Sequence, residues 1–174
     1  AGRVAVLSNA SMSGSSSVTI SSIPSTYDHL RLIIYSRSNH TSEDFLSVQV
    51  GNGTADTSTS NYARNSISVA GTTVSGTGDN ATSANLLTAC SANFNSAVNR
   101  YSLTVIDIPF YLMGAHKACS YTHKASIGTA AADQKFATGG AHWLSTSVID
   151  TIKIALGSST FATESRYVLY GFSE

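Results

Sequence analysis

Leu30, Leu32 and Ile34 alternate with Arg31, Ile33 and Tyr35, and Leu46, Val48 and Val50 alternate with Ser47 and Gln49. A period of two marks β-strands with two unlike faces. The spacing recurs along the chain: Val4 to Leu7, Val18 to Ile20 before the strand-stopping Pro24, and Ile67 with Val69 ahead of Gly71. Cys119, Tyr121, His123, Ala125 and Ile127 share one face of a further strand, opposite Ser120, Thr122, Lys124 and Ser126. Leu103 and Val105 give way to Ile106 and Ile108, a switch of parity that predicts a β-bulge. The last quarter reads as two strands, Ser147–Leu156 and Ser165–Phe172, around a Gly/Ser/Thr loop, with Val148, Ile152, Ile154 and Leu156 facing the core. Residues 72–99 carry the weakest pattern: Gly76 to Asn80 reads as a loop, and Ala84 to Cys90 as a strand or one helical turn.

Short strands at regular spacing, with no amphipathic helix, predict an all-β fold: an antiparallel β-sandwich of 8–10 strands, with a jelly roll as the preferred topology. There is no repeat, heptad or linker, so residues 18–174 read as one domain. Residues 1–17 form a short apolar segment and a Ser/Gly run, either a first strand or an arm.

Composition sharpens this picture. Only 11% of the 174 residues are charged, against roughly 25% on average, while 30 Ser and 19 Thr supply the polar surface. Ten basic residues balance ten acidic ones, so no broad field draws in nucleic acid or an anionic membrane. No run approaches the roughly 20 apolar residues of a membrane-spanning helix, and the start lacks a signal-peptide core, which fits assembly in a cytoplasm.

Candidate chemistry is sparse. Cys90 and Cys119 lack a CxxC partner and read as small buried hydrophobes, with pairing left open. His116 and His123, seven apart, fall on opposite faces and read as partly exposed. Glu43, Asp44, Asp56 and Asp79 read as solvated loop acids, with a loop Ca²⁺ site as the alternative. Asp28, Asp107 and Asp150 adjoin apolar strands and read as strand-end or turn residues. No nucleophile elbow or phosphate loop occurs, so neither an enzyme nor a bound cofactor is expected. Eight tyrosines outnumber six phenylalanines, and Tyr is favoured at interfaces. Tyr62, Tyr111 and Trp143 are the candidate interface aromatics, and Trp143 reads alternatively as a sugar-stacking residue or a core anchor.

Ile23-Pro24-Ser25-Thr26-Tyr27-Asp28-His29-Leu30, with Ser36-Arg37-Ser38 closing the strand, resembles a recurrent opening of small virion proteins of tailed bacteriophages. The likeness continues through the strand to Asn52, the Asn61-Tyr62 step and Ile106-Asp107-Ile108-Pro109-Phe110-Tyr111. It includes a Gly-Gly/Trp approach to Ile149–Leu156 and the ending Ser165 to Phe172. The insertion-like Thr54 to Ser60 alters the spacing to Asn61-Tyr62.

The resemblance implies a β-sandwich displayed on a virion. Its first expectation is a capsid decoration (cement) protein that binds and stabilises the major capsid protein shell, usually as a homotrimer. The alternative is a tail-fibre, receptor-binding or carbohydrate-binding module, and a small depolymerase ranks third. The candidate partner-binding arm is Gly2, Arg3, Val4, Ala5, Val6 and Leu7, which either adds to a neighbour's sheet or serves as an ordinary first strand.

Overall fold

A computed structural model describes residues 2–80, 83–91, 100–128, 130 and 133–173. The chain is all-β and antiparallel, with two sheets packed into a sandwich. Its strands are β1 (Arg3–Ser11), β2 (Ser17–Ile20), β3 (His29–Ser36), β4 (Asp44–Asn52), β5 (Thr54–Ala55), β6 (Tyr62–Ala70) and β7 (Thr73–Asn80). They continue with β8 (Leu87–Ser91), β9 (Ser102–Pro109), β10 (Lys117–Ser126), β11 (Gln134–Trp143), β12 (Thr151–Leu156) and β13 (Arg166–Ser173).

One sheet runs β1-β13-β3-β9-β10-β11-β6-β7; the other runs β2-β12-β4-β5, with β8 also on β4. The path steps between the sheets, so that β1-β13-β3-β9 faces β2-β12-β4-β8. That order is the double Greek key of a jelly roll. The described residues hold thirteen strands, more than the 8–10 expected, because two insertions enlarge the first sheet. β5 to β7 lie between β4 and β8, β10 and β11 lie between β9 and β12, and together they carry the sheet four strands beyond β9. The final two strands belong to different sheets and do not form a hairpin.

The core lies where the sequence alternation is cleanest. Leu30, Leu32 and Ile34 of β3, Leu46, Val48 and Val50 of β4, and Ile152, Ile154 and Leu156 of β12 are buried against Ile106, Ile108 and Leu169. Each fully buried aliphatic side chain of this kind contributes roughly 1.5–3 kcal/mol.

Several expectations need correction. β9 has no bulge: its pairing with β3 is unbroken from Ser102 to Pro109. Its inward residues are Ser102, Thr104, Ile106 and Ile108, while Leu103 faces outward. The polar pair is satisfied inside, Ser102 by Ser36 (3.0 Å) and Thr104 by His123 Nδ1 (2.8 Å). His123 is therefore buried, whereas His116 is exposed ahead of β10. Val148 lies outside β12 and is exposed; Ile149 takes the core position. Gly76 to Asn80 is not a loop but the second half of β7, paired with β6 along its whole length through a turn at Gly71 (φ +61°). Both faces of this hairpin meet solvent over much of its length, and Ile67 and Val74 are exposed. Residues 87–91 form a strand; the Cys90 side chain, and so the question of its pairing with Cys119, lies outside the described residues.

Candidate interaction surface

The aromatics singled out from the sequence are core residues. Tyr62, Tyr111 and Trp143 are 1%, 0% and 2% exposed, so none is a surface anchor. Their polar tips are satisfied inside the molecule, which explains how such side chains sit in a core. The Tyr62 hydroxyl donates to the Val50 carbonyl (2.9 Å) and accepts from its N–H (3.2 Å). The Tyr111 hydroxyl donates to the Pro24 carbonyl, and Trp143 Nε1 donates to Asp56 Oδ2 (2.8 Å). Lys117, itself buried, places its ammonium 5.5 Å from the Trp143 ring centre and donates to the carbonyls of Ala115 (2.7 Å) and Ser147 (2.5 Å).

The acids are likewise engaged. Asp44 is 2% exposed and accepts four hydrogen bonds, from Ser38 Oγ and the N–H groups of Phe45, Gly157 and Ser158. Asp56 accepts from Trp143, Asn61 Nδ2 (2.7 Å) and the Ser58 N–H (2.9 Å). Asp79 pairs with Arg64 (2.9 Å), Glu43 pairs with Lys135, and Asp150 accepts from the Gly53 N–H (2.6 Å). Asp44 and Asp56 are thus hydrogen-bonding hubs and Glu43 and Asp79 are ion-paired, not the solvated loop acids of the sequence reading, while Asp150, just ahead of β12, is the strand-end residue expected. Asp28 is exposed just before β3, whereas Asp107 is a mid-strand residue facing Arg31. No group of three or more His, Cys, Asp or Glu side chains placed to hold a metal occurs among the described residues.

Burial would raise the Asp56 pKa, but its hydrogen bonds from Trp143, Ser58 and Asn61 outweigh this and hold it below the usual 3.8. A depressed folded pKa contributes stability above the unfolded value and loses it as pH falls through the folded one. Stability should therefore decline as pH drops below about 3.8, and Asp56→Asn should flatten that decline; urea midpoints from pH 5 to pH 2 measure both. Cys119 is buried in the core, which pushes its thiol up to about 12. The nucleophile is the thiolate, so native Cys119 should resist iodoacetamide at pH 8 and label only on unfolding, read by peptide mass spectrometry.

What remains as a working surface is the outer face of the eight-stranded sheet. Side chains there stand in registered rows: Val168, Ile33, Val105 and Thr122 across β13, β3, β9 and β10, and Arg166, Tyr35, Leu103 and Lys124 in a neighbouring row. Val4 and Val6 extend the apolar area over β1, opposite Phe172 and Tyr170, and are 64% and 56% exposed. Thr122 and Thr138 give the middle a hydroxyl surface, and Phe136 resumes the apolar character beyond it. A third row sets Arg31 beside Asp107, with Nε on Oδ1 at 2.6 Å and Nη2 on Oδ2 at 3.1 Å. Apolar rows this extended, with a few charged groups among them, are a feature of contact surfaces.

Residues 3–11 form the edge strand of this same sheet, paired with β13, while Ala5 and Leu7 pack on the core. A register shift between Val6 and Ser8 interrupts the ladder. Such a bulge blunts an exposed edge. Sequence reasoning missed the face because its apolar residues occupy outward parities that alternation assigns to solvent; the signal was that Ile33, Val105 and Val168 are β-branched residues on the supposedly polar side.

Comparison with protein-family models and with curated proteins finds no match to the chain.

Proposed function

We propose that the protein is a structural component of a tailed-phage virion, a decoration protein that binds a shell of major capsid protein and stabilises it. The observation that carries this reading is the outer face of the eight-stranded sheet, wide and with apolar rows over β1, β13, β3 and β9, beside which stand Arg31, Asp107, Arg166 and Lys124. The resemblance of Ile23–Leu30 and Ser165–Phe172 to small virion proteins supports it. Two of the motifs meet in the fold: the N–H of Arg37, in Ser36-Arg37-Ser38, donates to Ser165 Oγ (3.1 Å).

Binding of this kind rests on burying an apolar centre inside a polar rim, not on catalysis. Closed cyclic symmetry, with a trimer as the expected case, would let each subunit bridge several capsid subunits. The second reading, a receptor-binding module, is favoured by one feature, the groove beside Arg31 and Asp107 on the same face.

Ile33→Glu with Val105→Glu places two charges in the middle of the face while leaving the inward side of both strands untouched. Co-sedimentation with shells lacking the protein should fall at least about tenfold, a loss of about 1.4 kcal/mol or more, in a variant that still unfolds cooperatively, its midpoint lowered by the two like charges set opposite one another. Undiminished binding would remove this face from the contact. Deleting residues 1–9 would remove a strand laddered on β13, so the outward Val4 and Val6 are the better probe: Val4→Ser with Val6→Ser should weaken shell binding more than folding, and equal loss of both would reject a binding role for that segment.

A further inference from the structure

β9 runs on to Pro109 and β10 begins at Lys117, yet the ladder between them covers only Leu103–Asp107 against Ser120–Lys124. Beyond the Asp107–Ser120 pair the two strands are not laddered, and Pro109 brings no N–H to extend the pairing. A groove of about 560 Å³ opens there, lined by His29, Arg31, Asp107, Ala118, Ser120 and Phe172. That volume lies within the roughly 300–1,000 Å³ of small-molecule sites.

The chemistry of the lining narrows the ligand. Arg31 and Asp107 are each nearly half exposed and already neutralise one another. A phosphate or a metal ion would have to break that pair, so the groove does not favour a charged ligand. The pair engages two of the five guanidinium donors, and each carboxylate oxygen retains lone-pair capacity. A donor and an acceptor held side by side match adjacent hydroxyls, each of which donates and accepts. Ser120 adds a hydroxyl, and the Phe172 ring, 5.8 Å from the Arg31 guanidinium carbon, supplies an apolar surface for the C–H face of a sugar ring. Phe110, half exposed and packed edge-on against His29 at 4.7 Å, extends that surface.

We propose that this groove binds a neutral hexose or N-acetylhexosamine unit of a glycan. The proposal does not depend on shell binding: the groove lies at one end of the outer face, and its occupancy is read separately.

The test is an amide NMR titration of the intact protein with the methyl glycosides of glucose, galactose, mannose and N-acetylglucosamine, and with inorganic phosphate. At least one glycoside should give saturable shifts centred on Arg31, Asp107, Ala118, Ser120 and Phe172, with a Kd on the order of 1 mM. Phe172→Ala and Ser120→Gln, on two different strands of the outer face, should each weaken that binding about tenfold. Tyr35→Ala, on the same face but outside the groove, should leave it unchanged. The proposal is overturned by no saturable shift with any of the four glycosides, by shifts centred elsewhere, by tighter binding of phosphate, or by shifts that both groove variants leave intact.

Discussion

Replacing Asp44 by alanine should destabilise the fold by about 3–5 kcal/mol, the range for breaking a buried charged network. At about 2–4 °C per kcal/mol for a domain of this size, thermal unfolding should move down by about 6–20 °C. The reason is geometric. One carboxylate gathers the Ser38 hydroxyl (3.0 Å) and the N–H groups of Phe45 (2.8 Å), Gly157 (3.1 Å) and Ser158 (3.0 Å). It thus ties the β3–β4 connection and the start of β4 to the loop leaving β12, the neighbouring strand of the same sheet. Alanine leaves the buried Ser38 hydroxyl and the part-buried N–H groups of Phe45 and Ser158 without this acceptor, while the Gly157 N–H keeps only the Phe45 carbonyl (2.9 Å). Asp44→Asn should cost less than alanine, since its carbonyl oxygen still accepts while its amide faces N–H groups. Differential scanning calorimetry of the two variants measures the order; an alanine variant that melts with the parent protein would reject the hub.

Trp143→Ala should have a comparable effect, about 3–5 kcal/mol, the usual cost of emptying a large aromatic site. Trp143 ends β11, lies within the core and holds Asp56 through its indole N–H. Asp56 in turn secures the segment from Thr54 to Asn61, because its own N–H reaches the Val50 carbonyl (2.9 Å) and its carboxylate holds Asn61. Trp143→Phe keeps most of the apolar volume and loses the charge-assisted hydrogen bond, worth roughly 1.5–3 kcal/mol. The expected order of urea midpoints is therefore parent, then phenylalanine, then alanine. If the indole were a surface binding residue, both substitutions would leave the midpoint unchanged, and that result would contradict its placement in the core.

The strands that hold the core were legible because an apolar residue at every second position has one explanation in a sandwich. β3, β4, β10 and β12 show it, and each faces the core as the alternation requires. β9 misled for an instructive reason. Its inward Ser102 and Thr104 are polar because Ser36 and His123 wait across the sheet, while its outward Leu103 and Val105 belong to the sheet's apolar outer rows. Alternation reports which side is apolar; it does not report which side is inside. β7 was illegible because neither of its faces is covered, so nothing required an apolar stripe. The aromatics failed in the opposite sense: a tyrosine or tryptophan that finds a carbonyl or carboxylate within the fold has the same one-letter code as one awaiting a partner. Sequence pattern located the acids Asp44, Asp56 and Asp107 but carried no information about the long-range donors that define them, which lie up to 114 residues away.

Shell binding is the central claim, and electron microscopy tests it most directly. Purified protein is added to shells assembled from the major capsid protein alone. Added density is expected at defined positions between capsid subunits, with three-fold axes the expected place, and shells should survive heating better with the protein than without it. Shells that stay bare and melt unchanged, with the protein found only at the tail of the complete virion, would contradict it.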